Sequence, residues 1–178
     1  MTLVVFTEEP SMKYTVEQLL KKLGAKAQVI SFDGVGNLEK DLPAQLRAIA
    51  REANAKALIL RDNDNGDCDA RKAKLAQMVQ QAGMTDRAHI CIVCQMLEGW
   101  FIGDINALIA SRHLQRPIPK RLKTCDPDAQ PNPKAELRKL RPGYTEIRGA
   151  KAISPHLSLT ENRSSSFADA IQALRDLT

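Results

Sequence analysis

The chain has 178 residues, 43% hydrophobic and 26% charged, the proportions of a globular domain with one core. These figures exclude a disordered, collagenous or coiled-coil chain, and no apolar run approaches the ~20 residues a membrane helix needs. The net charge of +5 is unevenly spread: Arg112 to Arg141 holds nine Lys/Arg against three acids.

The elements follow in chain order. Leu3 to Phe6 is a short apolar run that suits a buried strand. Val16, Leu19, Leu20 and Leu23 have helical spacing over 12–23, with Gly24 as the C-cap. Ala27 to Phe32 reads as a second strand. Gly34 and Gly36 make a loop, and a helix follows from Leu38 to Ala53 with Pro43 in its first turn. Ala57 to Leu60 is a third strand, ending at Arg61-Asp62. An acidic loop leads to a helix from about Ala70 to Gln81. His89 to Val93 is a fourth strand. Strands alternating with helices predict βαβ units and a mostly parallel sheet with helices on both faces.

After the fourth strand the pattern changes. Leu97 to Ser111 reads as a helix interrupted at Gly103-Asp104, where Asp104 caps the second piece. Gln115 to Pro133 contains five prolines and reads as a surface loop. Pro133 opens a short helix to Leu140, and Ala150 to Leu157 forms another. Ser164 or Ser165 caps a last helix whose Phe167, Ile171, Leu174 and Leu177 form an apolar stripe. The expected organisation is one domain: an α/β core over 1–110, and a basic, Pro-rich segment with a helical extension over 111–178 packed on it.

The N-terminal stretch lacks a basic n-region and soon meets Glu8 and Glu9, unlike a signal peptide. The four cysteines are too irregular for a disulfide framework, so a reducing cytoplasm is the expected compartment. Cys91-Ile-Val-Cys94 has CxxC spacing, but it lies in a strand-like run with no second ligand pair, which favours core cysteines.

Function in a parallel sheet gathers at the carboxyl ends of its strands, and the acids fall there. Glu8 and Glu9 follow the first strand, and Asp62 and Asp64 follow the third. Residues two apart in an extended segment share a face, so Asp62 and Asp64 can point at one cation. Asp62, Asp64, Asp67 and Asp69 lie within eight residues. Packed without a cation they would raise one another's pKa, and Mg²⁺ relieves that. The same residues also make a good exposed turn. A calcium loop fails because position 12 would be Ala73. Glu98 either lines the same crevice or serves the packing of Trp100. Ser164 to Ser166 either hold an anion or cap a helix. The basic stretch either binds phosphates or is a solvated face.

A glutamate after the first strand and Asp-x-Asp after the third resemble the TOPRIM superfamily, which includes topoisomerases, primases, OLD-type nucleases and small RNA-maturing nucleases. The longer matches Glu8-Glu9-Pro10-Ser11-Met12-Lys13, Arg61-Asp62-x-Asp64-x-x-Asp67-Cys68, Leu97-Glu98-x-Trp100-x-x-Gly103-Asp104 and Asn162-Arg163-Ser164-x-Ser166-Phe167 are similar to an uncharacterised bacterial family of TOPRIM-like proteins. Its members are often encoded beside ABC/AAA-type ATPases in neighbourhoods suggesting phage defence. The resemblance implies a TOPRIM-like, mostly parallel four-stranded sheet flanked by helices, with a helical C-terminal extension. It implies Mg²⁺, or Mn²⁺, on Glu8, Asp62 and Asp64, with Glu8 as acid/base or second-ion ligand and Glu98 as a secondary ligand or orienter.

The expected activity is a Mg²⁺-dependent nuclease or phosphoryl transferase on DNA or RNA. Arg112, Arg116, Lys120, Arg121, Lys123, Arg138, Lys139 and Arg163 would meet the nucleic-acid backbone. Three positions depart from the family pattern: Val35, Glu146 and Ser165 stand where basic residues are usual. These departures favour the alternative, a non-cleaving regulatory or binding subunit of an ATPase complex. A small-molecule phosphate enzyme is a third reading. No membrane partner is expected.

Overall fold

A computed structural model describes residues 2–178. The strands are β1 (Thr2–Thr7), β2 (Gln28–Ser31), β3 (Ala55–Asp62) and β4 (Ala88–Val93). All pair in parallel, in the order β2-β1-β3-β4. Helices α1 (Pro10–Leu23), α2 (Val35–Ala50) and α3 (Cys68–Gln81) connect them. This is the parallel four-stranded α/β sheet flanked by helices that the sequence predicts. The C-terminal helices are α4 (Glu98–Gly103), α5 (Ile105–Ala110), α6 (Lys120–Thr124), α7 (Pro133–Leu140), α8 (Glu146–Ile153) and α9 (Ser165–Leu177).

Strand parity divides the interior into two cores. Leu3 and Val5 of β1, Leu58 and Leu60 of β3, and Cys91 and Val93 of β4 face one side, packing with α1, α4, α8 and α9. Val4, Phe6, Ala57, Ile59 and Ile92 face the other, against α2 and α3. The β3 alternation carries on to its end. Arg61 belongs to the second face, where its Nη1 is 2.8 Å from Glu39 of α2. Asp62 belongs to the first, the side of α4. A one-residue slip would exchange these two charged side chains.

Local chemistry fixes the connections. Gly24 ends α1 at φ 66°, and Ala25 N–H donates to Leu20 O at 3.0 Å; a Cβ at Gly24 would cost about 1 kcal/mol. Asp104 separates α4 from α5, its carboxylate accepting from Ala107 N–H at 2.9 Å. Ser164 caps α9 by accepting from Phe167 N–H at 3.1 Å. Buried Phe167, Ile171 and Leu174 then seat α9 on the sheet, each contributing about 1.5–3 kcal/mol.

Three expectations need correction. Pro43 lies well inside α2, because that helix begins at Val35, directly after Gly34 (φ 85°). Buried Leu42 and Leu46 hold α2 on the sheet across the missing proline N–H. The expected loop over 115–133 contains α6 and a 3₁₀ turn at Pro127–Ala129. Pro119 at φ −66° sets up that helix and Leu122 anchors it in the core. Finally, α8 starts at Glu146 and ends at Ile153. Gly149 within it lets the Tyr144 ring lie against the helix, since a Cβ there would come within 2.3 Å of the ring.

Candidate functional site

The parallel strands deliver acids to one edge of the sheet. Glu8 follows β1, Asp62 ends β3, and Glu98 opens α4 just beyond β4. All three are buried: Glu8 is 9% exposed, Asp62 6% and Glu98 1%. Asp62 N–H donates to Glu8 Oε2 at 3.3 Å, so the ends of β1 and β3 hold the first two together. Tyr144 O–H donates to Glu98 Oε1 at 3.1 Å. The remaining buried oxygens Asp62 Oδ1 and Glu98 Oε2 have no hydrogen-bond partner, a costly state for a carboxylate.

Electrostatics follow from this crowding. Burial pushes Glu8 from 4.5 up to about 7, and the Asp64 and Glu9 charges add to it, against the Asp62 N–H bond and Arg61. Burial raises Asp62 well above the usual carboxylate range, with Glu9, Glu8, Glu98 and Asp64 all pushing the same way. Burial lifts Glu98 to about 7 as well, partly offset by Lys134 and by the Tyr144 hydroxyl. Burial first, then the Glu98 charge, pushes the Tyr144 hydroxyl up, so it stays a donor. Lys134 is half-buried on α7 with Nζ 2.9 Å from Glu146. Burial disfavours its charge, but Glu146, Glu98 and Glu9 outweigh that and hold its pKa above the ordinary value.

Asp64 reaches this cluster by an unexpected path. The strand ends at Asp62, and Asp64 and Asn65 turn into the left-handed region at φ 48° and 56°. The expectation that Asp62 and Asp64 share one face of an extended segment is therefore corrected. Asp64 N–H donates to Gln95 O at 2.8 Å, and Asn65 N–H to Gln95 Oε1 at 2.8 Å. These bonds fix the exposed Asp64 where its charge raises the Glu8 pKa. Asp67 serves as the N-cap of α3, accepting from Ala70 N–H at 3.0 Å.

The acids suit a hard cation held through few protein oxygens. Mg²⁺ takes one or two carboxylates and completes its shell with water and phosphate oxygens. The orphaned Asp62 Oδ1 and Glu98 Oε2 are donors of that kind. Among the described residues, no three His, Cys, Asp or Glu side chains converge into a ready-made metal cage.

The basic segment is less free than its composition suggests. Arg121 and Lys139 both pair with Glu136, and Arg138 lies 3.8 Å from Glu146. Arg116 donates to Lys139 O at 3.1 Å. Arg163 spends its guanidinium on the carbonyls of Ile102, Gly103, Leu122 and Cys125, tying α4 to α6. Among the described residues, exposed Arg112, Lys120 and Lys123 form no ion pair.

The opening of α9 already holds an anion, and it is internal. Asp128 accepts from Ser164 Oγ at 2.6 Å, from Ser165 N–H at 2.7 Å, from Ser165 Oγ at 2.6 Å and from Ser166 N–H at 3.3 Å. Trp100 belongs to the core, fully buried, its Nε1–H donating to Ser166 Oγ at 3.0 Å. Cys91 is buried and Cys94 half-buried, both unpaired with raised thiol pKa values chiefly from burial. Tyr144 and Lys134 were not identifiable from sequence as partners of Glu98. Both come from the C-terminal segment, and their link to Glu98 is purely tertiary.

Comparison with known proteins agrees with this architecture. A family model described as Domain of unknown function (DUF4276) matches residues 7–175, so the chain belongs to that family. No curated protein matches it in sequence. The fold is similar to the C-terminal region of the Burkholderia pseudomallei OLD protein, with TM-score 0.59 and 16% identity over 98% of this chain and 96% of that one. It is equally similar to the C-terminal region of the Xanthomonas campestris pv. campestris OLD protein, with TM-score 0.59 and 16% identity over 98% and 94% of the two chains. At that identity the likeness establishes a common fold. Among the described residues, no helix is long and apolar enough to cross a membrane.

Proposed function

We propose that this member of the DUF4276 family is a Mg²⁺- or Mn²⁺-dependent phosphodiesterase of the TOPRIM type that acts on nucleic acid. One observation carries the reading. Glu8, Asp62 and Glu98 are buried at three strand ends, Glu8 and Glu98 both raise the Asp62 pKa, and two of the three carry orphaned oxygens, an arrangement that destabilises the fold unless a cation or protons neutralise it. The OLD-like fold supports the same reading.

Asp62 and Asp64 would hold the cation, with Glu98 as a secondary ligand and Glu8 either as ligand of a second ion or as the acid/base. When bound, such an ion polarises a phosphodiester and eases deprotonation of water. The chain's own residues supply the rest. Glu8, with a pKa near 7, is matched to proton transfer at neutral pH. Tyr144 fixes the rotamer of Glu98 through its hydroxyl. Arg112, Lys120 and Lys123 would meet backbone phosphates, giving an affinity that falls with salt. Cleavage of DNA and RNA oligonucleotides in Mg²⁺ or Mn²⁺ tests this. Asp62→Asn and Glu8→Gln should each lose activity by a factor of about 100 or more. Equal cleavage by wild type and both variants would refute it.

A second reading is favoured by the ion-paired basic segment, with Glu146 neutralising Lys134 and Arg138. It is a non-cleaving subunit that binds an ABC/AAA-type ATPase. Copurification with such an ATPase, without cleavage of any oligonucleotide, would select it.

A further inference from the structure

The cleft on the β2 side of the acids points to a substrate class. It has a volume of about 580 Å³ and is lined by Pro10, Lys13, Tyr14 and Glu17 of α1 and by the segment from Ser31 to Asp33 after β2. That is within the range of small-ligand sites. It opens at the carboxyl end of the sheet, where parallel α/β proteins bind ligands. Its β2 wall is tied to the end of β1 by backbone bonds. Phe32 N–H donates to Thr7 O at 2.9 Å, and Gly34 N–H donates to Glu8 O at 3.0 Å. Two other hollows, beside Gly24 and beside Lys26, sit at the opposite end of the sheet.

The aromatic inventory singles out one wall. The chain has four Phe, one Trp and two Tyr. Every one except Tyr14 is buried. Tyr14 is therefore the one partly exposed aromatic side chain, and it lines the cleft. Lys151 Nζ lies 4.6 Å from the ring centroid. Lys151 is not among the residues lining the cleft. The cation–π contact steadies the ring. Tyr14 lies four residues into α1, about 6 Å of helix rise from Pro10, which follows Glu8 by two residues.

We propose that this cleft is a nucleobase subsite in which Tyr14 stacks one base of a single-stranded nucleic acid whose backbone runs to Glu8 and Asp62. The proposal rests on the nucleic-acid reading above and narrows it to unpaired strands. A base in a duplex has both faces covered by its neighbours and must leave the stack to reach a side-chain ring. A single strand offers its bases freely, and aromatic stacking is the sequence-tolerant way to hold them. Lys13 as donor, with Glu17 and Asp33 as acceptors, ring the cleft where the polar edge of a base would lie.

The test measures binding without divalent cation, at one fixed low salt, by fluorescence anisotropy of a labelled single strand. A base-free strand with the same number of phosphates serves as comparison. Tyr14→Leu keeps apolar bulk and removes the ring face. It should weaken binding of the base-bearing strand by about 5- to 150-fold and leave the base-free strand within about twofold of wild type. Tyr14→Phe should behave as wild type. An unchanged melting temperature for Tyr14→Leu confirms that the fold is kept, and Tyr14→Phe is read in its place if the leucine variant unfolds, a loss of binding by Phe then overturning the stacking role. Undiminished binding of the base-bearing strand by Tyr14→Leu, or equal losses on both strands, overturns the proposal. So does tighter binding of a blunt duplex than of the single strand by wild type. Failure of wild type to bind any of the three nucleic acids overturns the nucleic-acid reading itself.

Discussion

Glu98 gives the sharpest energetic consequence of the buried acids. It is 1% exposed, one carboxylate oxygen is bonded to Tyr144 and the other has no partner. Its pKa rises from 4.5 to about 7, mainly through burial. Between those values the folded chain keeps a proton that the unfolded chain has released. Stability is therefore full below about pH 4.5 and is lost as the pH rises through 7. Glu98→Gln mimics the protonated form and keeps an acceptor for Tyr144. At pH 8 it should stabilise the protein by about 3 kcal/mol, and at pH 5 by less than about 1 kcal/mol. For a chain of this size that is a rise in melting temperature of about 6–12 °C at pH 8. The assay is a pair of thermal melts at each pH without divalent cation. His113, whose pKa is lowered chiefly by burial, works in the opposite sense and cancels in the comparison of variant with wild type. A gain that is absent at pH 8, or equal at both pH values, would refute the reasoning.

Three further outcomes are expected. Arg163→Ala should lower stability by about 2–4 kcal/mol, because it frees four backbone carbonyls between α4 and α6. Urea unfolding measures this, and the salt dependence of any oligonucleotide binding should stay as in wild type. Asp128→Asn removes the charged acceptor at the start of α9 and should cost about 1–2 kcal/mol, read as a lower urea midpoint. Lys134→Met removes the cation that most favours ionised Glu98. It should raise the Glu98 pKa further, so that Glu98→Gln stabilises by more at pH 8 in the Lys134→Met background than in wild type, with the onset still near pH 4.5, as melts across the pH range would show.

The strands were readable because each is a short run rich in apolar residues with a helix-length gap between it and the next. Their carboxyl ends then located Glu8, Asp62 and Glu98 without any knowledge of contacts. Local rules failed where a tertiary contact overrode them. Asp64 takes a left-handed turn whose backbone Gln95 bonds; the Asp-Asn-Gly run around it allowed such a turn, and the contact with Gln95 selects it over an extended segment. Pro43 sits inside α2 because the leucine face outweighs one lost hydrogen bond. Composition flagged the basic segment, but the acids that neutralise it lie three to fifteen residues away from their partners. Asp128 and the α9 serines are 36 to 38 residues apart, so the serine run read equally well as an anion site or as a cap. Tyr14 was one of two tyrosines, and only the burial of every other ring sets it apart.

The central claim is that the acids at the strand ends hold a divalent cation. Thermal melts of wild type and of the Asp62→Asn/Asp64→Asn double variant, with and without Mg²⁺ or Mn²⁺, test it most directly. A cation that binds only the folded chain stabilises it by about 2.7 kcal/mol at a hundred times its dissociation constant, a rise of about 5–11 °C for this size. The account predicts that rise in wild type and none in the double variant. No rise in wild type at saturating millimolar ion, or the same rise in both proteins, would contradict it.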